Sequence, residues 1–474
     1  MSNLPATRHI KCDEAPGVCN NCTSTGRKCD GYDMARLPIQ KLALSSQPNI
    51  GPRLAWFTTT DERRCFSYFM HCSIPSLATF FDSPLWQRVA LQMSHVDRAV
   101  YHAANVLGAL HEDSDQNLMR LSGENLERPR HRLALDQASR AFAILSQRQV
   151  SHDPQFEEIV LLCCLLFVIS DLLLAQYDSA FRHLRGGLQI LGEAQQRRLH
   201  GQRHVLPVDS SLVQTFQRLD IESSHFGSGG PFLFSGNEPD DCYEPILYGL
   251  QDVHQEVTRS LNMGIPFLAN CWPLSAAEIE ADFEYLYRKQ QSYLSFNSRL
   301  QLQIQTLSTT SYHKFTYSER RKLDLSLLQC QGQLLALRTC LIDGPVPAYL
   351  TPEYEALLVA SEAIMAKFSE RPTVTLDYGI VPGLYVVASR CPDYSIRLRA
   401  IDAMLSWPHC EAIVNSNVTA SMALQILKTE LQVNDQRGPW IVDRQSEEEL
   451  NRFLFKTLNS THTANWSMTK SLNI

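Results

Sequence analysis

Four cysteines stand near the start of the chain in the order C-x6-C-x2-C-x6-C: Cys12, Cys19, Cys22 and Cys29. This spacing reads as a metal site. Zinc takes about four soft ligands at ~2.3 Å around one point, and short loops between thiolates supply them without a hydrophobic core to hold the geometry. The surrounding stretch, RHIKCDEAPGVCNNCTSTGRKCDGY from Arg8 to Tyr32, has no such core. The other reading is four unconnected thiols in a mobile tail.

A second candidate chemistry is carried by Asp240-Asp241-Cys242-Tyr243-Glu244, which fits a D-D-x-x-E pattern able to hold magnesium and a diphosphate. The run sits between prolines, EPDDCYEP, instead of ending a helix, and no N-D-x-x-S-x-x-x-E partner completes it. It reads as a solvated loop. No P-loop, G-x-S-x-G elbow, H-E-x-x-H pair or dinucleotide fingerprint occurs, so an enzyme is not expected.

With 474 residues the chain exceeds what one core usually serves, and 44% apolar residues are ample for burial. A net charge of -7 excludes a wholly basic nucleic-acid coat, so any basic function must be local. Residues 1–36 carry five basic side chains (Arg8, Lys11, Arg27, Lys28, Arg36) against four acids. Fourteen cysteines without a signal peptide, several of them inside apolar runs (Cys163, Cys164, Cys330, Cys340), point to a reducing compartment. The Asn417-Val-Thr sequon then reads as accidental.

The elements that must position this chemistry read as a linker followed by helices. Residues 37–60 hold three prolines and no sustained apolar period, so dimerisation through a coiled coil there is not expected. From Asp61, read as a helix cap, the apolar spacing becomes helical. Val96, Ala99, Val100, Ala103, Leu107 and Leu110 share one face at the 3.6-residue period. Residues 113–130 are polar and read as a loop. The run IVLLCCLLFVI at 159–169 is too short for a bilayer, which needs about 20 residues, and reads as a core helix. Ala180, Phe181, Leu184, Leu188 and Leu191 form the face of its hairpin partner, with Gly186-Gly187 allowing the pair to approach. Long helices at 275–308 and 318–342 and helical segments to residue 405 follow. No strand-period stretch rivals them, so the expected class is all-α.

The run IKCDE, then P-x-x-C-x-x-C, then G-R-x-C-x-G-Y resembles the second half of a fungal Zn2Cys6 binuclear cluster, whose full pattern is C-x2-C-x6-C-x6-C-x2-C-x6-C. In that register the first two ligands fall at Ser2 and Pro5. By the resemblance Cys19 is a bridging ligand. One metal keeps Cys19, Cys22 and Cys29; the other keeps only Cys12 and Cys19. Two outcomes are open: the four thiolates regroup around a single zinc, or an upstream exon carries the missing pair. The family reads CGG-type DNA triplets through a short helix, which places Arg8 and His9 on bases and Lys11 on phosphate, with Ala6 where an arginine is usual. Arg is the better guanine donor of the two base-facing types.

The phrases FDSPLW, AVYHAANVLGALHE, FRHLRGGLQIL, FQRLDIESSHFG, TPEYEALL and LDYGIVPGLYVVASRC, in this order, resemble the fungal-specific transcription factor domain that follows such clusters. The likeness covers roughly residues 61–425. After Ser406-Trp407-Pro408, EAIVNS stands where relatives often carry an E-G-x-W-D-like run, so packing there is expected to differ. The resemblance implies a truncated zinc cluster at 1–36, a linker at 37–60 and a large helical regulatory domain at 61–474. It also implies nuclear localisation, DNA and transcription co-regulators as partners, and no membrane. The alternative is a helical protein-interaction or inhibitory factor that has lost DNA binding.

Overall fold

The computed structural model describes residue 24, residues 56–119, 128–148, 153, 155–199, 208–226, 231–234 and 245–436. These residues are helical almost throughout, with one three-stranded sheet of two-residue strands. The all-α expectation holds. The cysteine cluster, residues 1–36, and the linker expected at 37–60 lie outside the described residues, apart from Ser24 and the linker's last five positions.

The first lobe is built around α4 (Arg98–Gln116), buried without a break from Ala99 to Ser114. It begins where it does because the Asp97 carboxylate accepts the N–H groups of Ala99 at 2.8 Å and Val100 at 3.3 Å. Asp97 is extended, so the helical face does not run through it. Val96, expected on that face, is 81% exposed at the end of α3 (Leu91–Val96). The polar stretch expected to be a loop from residue 113 is also helix at its start. Glu112 and Asp113 are buried because cations meet them: Arg64 at 2.6 Å and Arg130 at 3.2 Å on Glu112, Arg128 at 2.8 Å on Asp113. Arg130 belongs to α5 (Pro129–Arg148), so helix resumes before residue 130.

Around α4 pack α1 (Thr60–Tyr68), extended through a π-helical turn at Phe69–Ser73 into α2 (Ile74–Leu77), and a second π-helical segment, Leu85–Ala90, that leads into α3. The cap of α1 is Thr59 in a reciprocal box with Glu62, not Asp61, which lies in the first turn. The apolar run is α6 (Phe156–Leu173), paired with α7 (Tyr177–Leu199). Among the described residues no helix is long and apolar enough to cross a membrane. The glycine pair acts differently from expectation. A Cβ on Gly186 would meet nothing, whereas one on Gly187 would stand 2.3 Å from the Phe216 ring, so the close approach is to α8 (Ser210–Ser223) rather than to α6.

The second lobe holds α9 (Leu250–Cys271), α10 (Ala276–Ala281), α11 (Phe283–Ser311), α12 (Tyr317–Thr339), α13 (Thr351–Met365), α14 (Val381–Arg390), α15 (Tyr394–Ser406) and α16 (Ser416–Gln436). Its apolar residues form two clusters, one on α9, α11 and α12 and one on α12 to α16. Ser260, Gln333 and Asn297 tie α9, α12 and α11 through a buried hydrogen-bonded group.

The sheet was not expected. β1 (Val374–Thr375) pairs in parallel with β2 (Cys410–Glu411), which pairs antiparallel with β3 (Val414–Asn415). EAIVNS, the segment expected to pack differently, supplies the turn and β3. Strands this short carry no alternation to read. Their role is positional: Glu411, fully buried, accepts the N–H groups of Gly379 at 2.9 Å, Ile380 at 3.0 Å and Val381 at 3.1 Å, capping α14 with a carboxylate. That cap fixes the Leu376–Tyr378 turn between β1 and α14. Gly379 is required there, because a Cβ would stand 2.4 Å from the Phe80 ring.

Candidate functional site

A cleft of ≈ 1070 Å³ opens between α8, α9 and α12, walled on one side by the segment Phe81–Gln87 and reached from below by Leu376 and Asp377. A chamber of ≈ 20 Å³, about the room one water needs, adjoins it. Phe81, Arg218, His254, Thr258, Asn262 and Asp377 line both spaces, while Glu222 and Tyr378 line the chamber alone. Helical spacing explains the meeting. Arg218 and Glu222 stand one turn apart on α8, and His254, Thr258 and Asn262 lie on successive turns of α9. Pro266 has no N–H for the Asn262 carbonyl, which therefore lacks its helical partner.

The electrostatics centre on Arg218. Its Nη1 donates to Asp377 Oδ1, and its Nε lies 3.8 Å from Glu222 Oε1, beyond hydrogen-bond range. Burial works against the guanidinium charge, but Asp377 and Glu222 outweigh it and hold the proton more firmly than usual. Burial pushes the Glu222 carboxyl up to about 8; Arg218 pulls it down and Asp377 adds to the rise. His254 stacks on Phe81 at 4.2 Å between ring centroids, and burial lowers its basicity. Glu222 Oε2, Arg218 Nε and Tyr378 Oη are buried without a hydrogen-bond partner. At the mouth Lys322 Nζ meets Asp82 Oδ2 at 2.5 Å, joining α12 to the opposite wall.

This arrangement can hold a polar molecule: it offers an ion pair, an unpartnered carboxyl and an unpartnered hydroxyl behind a wide mouth. Among the described residues no group of three or more His, Cys, Asp and Glu side chains is placed to hold a metal ion. The expected zinc ligands Cys12, Cys19, Cys22 and Cys29 and the expected DNA contacts Arg8, His9 and Lys11 lie outside the described residues, as does Asp240–Glu244. The cleft residues carried no signal that reasoning from the sequence used. The Arg218/Glu222 pair at i,i+4 was available as one, but it looks like any exposed helical ion pair until Asp377 closes over it.

A family model described as the fungal specific transcription factor domain matches residues 64–325, more than half of the chain. The chain is similar to the Aspercryptin biosynthesis cluster-specific transcription regulator atnN of Emericella nidulans, 27% identical over 261 residues, which cover 49% of this chain and 40% of that protein. It is also similar to the Transcription regulator lscL of Purpureocillium lilacinum, 26% identical over 207 residues, covering 40% of this chain and 48% of that one. The matches span less than half the length of these curated relatives. No solved structure matches the chain.

Proposed function

The chain belongs to the fungal-specific transcription factor domain family, and from that premise we propose that it is a nuclear, zinc-dependent, DNA-binding regulator of transcription by RNA polymerase II, acting with co-regulators. One observation carries the reading: in a single chain, the Cys12, Cys19, Cys22 and Cys29 set stands ahead of the family domain that begins at residue 64, with the linker between them. Four thiolates are a suitable donor set for zinc, which when bound supplies free energy on the order of 10 kcal/mol toward ordering so short a segment. Arg8 and His9 are the donors proposed for guanine edges, and Lys11 for a phosphate.

A second reading, a helical interaction factor without DNA binding, is favoured by Ser2 and Pro5 at the register of two cluster ligands. With two ligands absent, Arg8 and His9 must be ordered at ~1 to 2 kcal/mol per residue, which cancels the ~1 to 3 kcal/mol that one good base contact discriminates. The test titrates the zinc-loaded chain and its Ser2→Cys/Pro5→Cys variant against CGG and scrambled duplexes at two salt concentrations. The expected result is salt-sensitive, unselective binding by the chain and at least about tenfold CGG preference, ~1.4 kcal/mol, by the variant. A CGG preference already present in the unaltered chain removes the second reading. Absence of preference in both removes the first.

A further inference from the structure

We propose that the cleft between α8, α9 and α12 binds a small organic molecule bearing a primary amine, its ammonium group seated in the inner chamber between Glu222 and Tyr378. Two unpartnered polar atoms face the same need from different elements: Glu222 Oε2 on α8 and Tyr378 Oη in the turn after β1, on residues 2% and 5% exposed. A buried acceptor left without a partner costs roughly 1 to 3 kcal/mol, so a ligand that satisfies both is favoured by what the free protein lacks.

Charge selects the ligand head. The ionisable groups facing the chamber are Arg218, Glu222, Asp377, His254 and Tyr378. Arg218 Nη1 is engaged by Asp377 while its Nε stands 3.8 Å from Glu222 Oε1 without a hydrogen-bond partner, and burial disfavours a charge on His254. Once Glu222 ionises, the chamber holds two carboxylates against one guanidinium, and a cation completes the set. An anionic head would meet both carboxylates and find only the Nε–H of that guanidinium without a hydrogen-bond partner. The tetrahedral N–H donors of an ammonium also suit two acceptors approaching from different sides, which a planar guanidinium does less well. Beyond the chamber the walls mix Phe81, Ile221 and Met263 with Gln214, Gln255 and Thr258, and their charged side chains balance, Asp82 and Glu319 against Arg259 and Lys322. The body of the ligand is therefore uncharged, partly apolar and able to hydrogen bond. The cleft volume fits a molecule of ordinary metabolite size.

The proposal does not depend on zinc or DNA. It is tested by calorimetry on the whole chain without a duplex, so its failure is distinct from failure of the regulator reading. Tyramine, tryptamine and 5-amino-1-pentanol serve as probes, each beside its N-acetyl counterpart. Saturable binding of at least one amine, with none by its acetylated form, is expected. Glu222→Gln should weaken that binding at least tenfold and Tyr378→Phe severalfold, with the far-UV spectrum unchanged. A measurement on the unaltered chain covers the case in which a variant does not fold. Seating the ammonium ionises Glu222 and releases its proton, so affinity should rise roughly tenfold per pH unit until about pH 8 and then level off. Lack of saturation by all three amines, equal binding of the acetylated forms, full affinity in Glu222→Gln, or affinity independent of pH each overturns the proposal.

Discussion

His409 Nε2 lies 2.8 Å from Glu411 Oε1, and both side chains are buried. Nδ1 of the same ring faces the Trp407 carbonyl at 2.7 Å, an oxygen that can only accept, so that nitrogen carries a proton. Glu411 thus joins the β2 strand to the first turn of α14, and through it to Asp377 and Tyr378 in the cleft.

Glu411→Ala should destabilise the helical domain by about 3 to 5 kcal/mol, the range for removing one member of a buried charged group. The truncation leaves the N–H groups of Gly379, Ile380 and Val381 and the His409 imidazole without their carboxylate partner. Urea unfolding at neutral pH checks this. A loss below about 1 kcal/mol would show that the carboxylate is not what holds α14 in place.

Gly187→Ala and Gly186→Ala form a matched pair on α7. The first places a methyl 2.3 Å from the Phe216 ring and should cost about 1 to 3 kcal/mol through overpacking. The second meets nothing within 4 Å and should stabilise by up to ~1 kcal/mol, because alanine is the better helix former. Thermal unfolding of both variants tests the sign. Equal effects would mean that α8 yields freely at Phe216.

Helices were legible where one apolar stripe faces one core. On the face of Ala180, Phe181, Leu184, Leu188 and Leu191 all but Phe181 are buried as the period requires, and Phe181 packs half-buried against the same core. Reading failed where tertiary partners override pattern. Asp113 looks like a loop residue until Arg128, just ahead of α5, and His131, within it, meet its carboxylate, and Val96 looks like core until Asp97 is seen to cap. The two-residue strands are too short to carry periodicity. The candidate cleft was invisible for a related reason: Arg218 and Asp377 stand 159 positions apart, and only the β1 to α14 turn brings them together.

Glu222 gives stability a component that falls as pH rises, against the buried imidazoles of His111 and His225, which are pushed down to about 4 and work the other way below about pH 6.5. Its carboxyl titrates at about 8 in the folded chain, far above the ordinary glutamate value, mainly because of burial. Between those two values the folded chain holds a proton that the unfolded chain has released, so raising the pH favours unfolding. Below the window the two states are equally protonated, and above it the penalty is complete. Glu222→Gln removes the effect. Its urea midpoint should gain on the parent chain steadily between about pH 5 and pH 8, and a constant gap would assign the pH dependence elsewhere.

The four cysteines of residues 1–36 should take up one metal ion. Loops of six, two and six residues between Cys12, Cys19, Cys22 and Cys29 can reach a tetrahedron, and four thiolates fill the coordination of a single zinc. A binuclear cluster needs six ligands with two of them bridging, and the register positions of the other two are Ser2 and Pro5. Cobalt reports the geometry: titration of the reduced chain should give tetrahedral thiolate bands that saturate at one equivalent and collapse when zinc is added. Cys22→Ser should abolish or broaden those bands, because three thiolates leave an open position that water occupies. The buried thiols Cys163, Cys330 and Cys410 do not compete, since burial raises each of them and withholds the thiolate a metal requires. Saturation at two equivalents would mean that the four thiolates bridge two ions without the other pair. Absence of tetrahedral bands would leave the segment without a metal and remove the zinc-dependent reading with it.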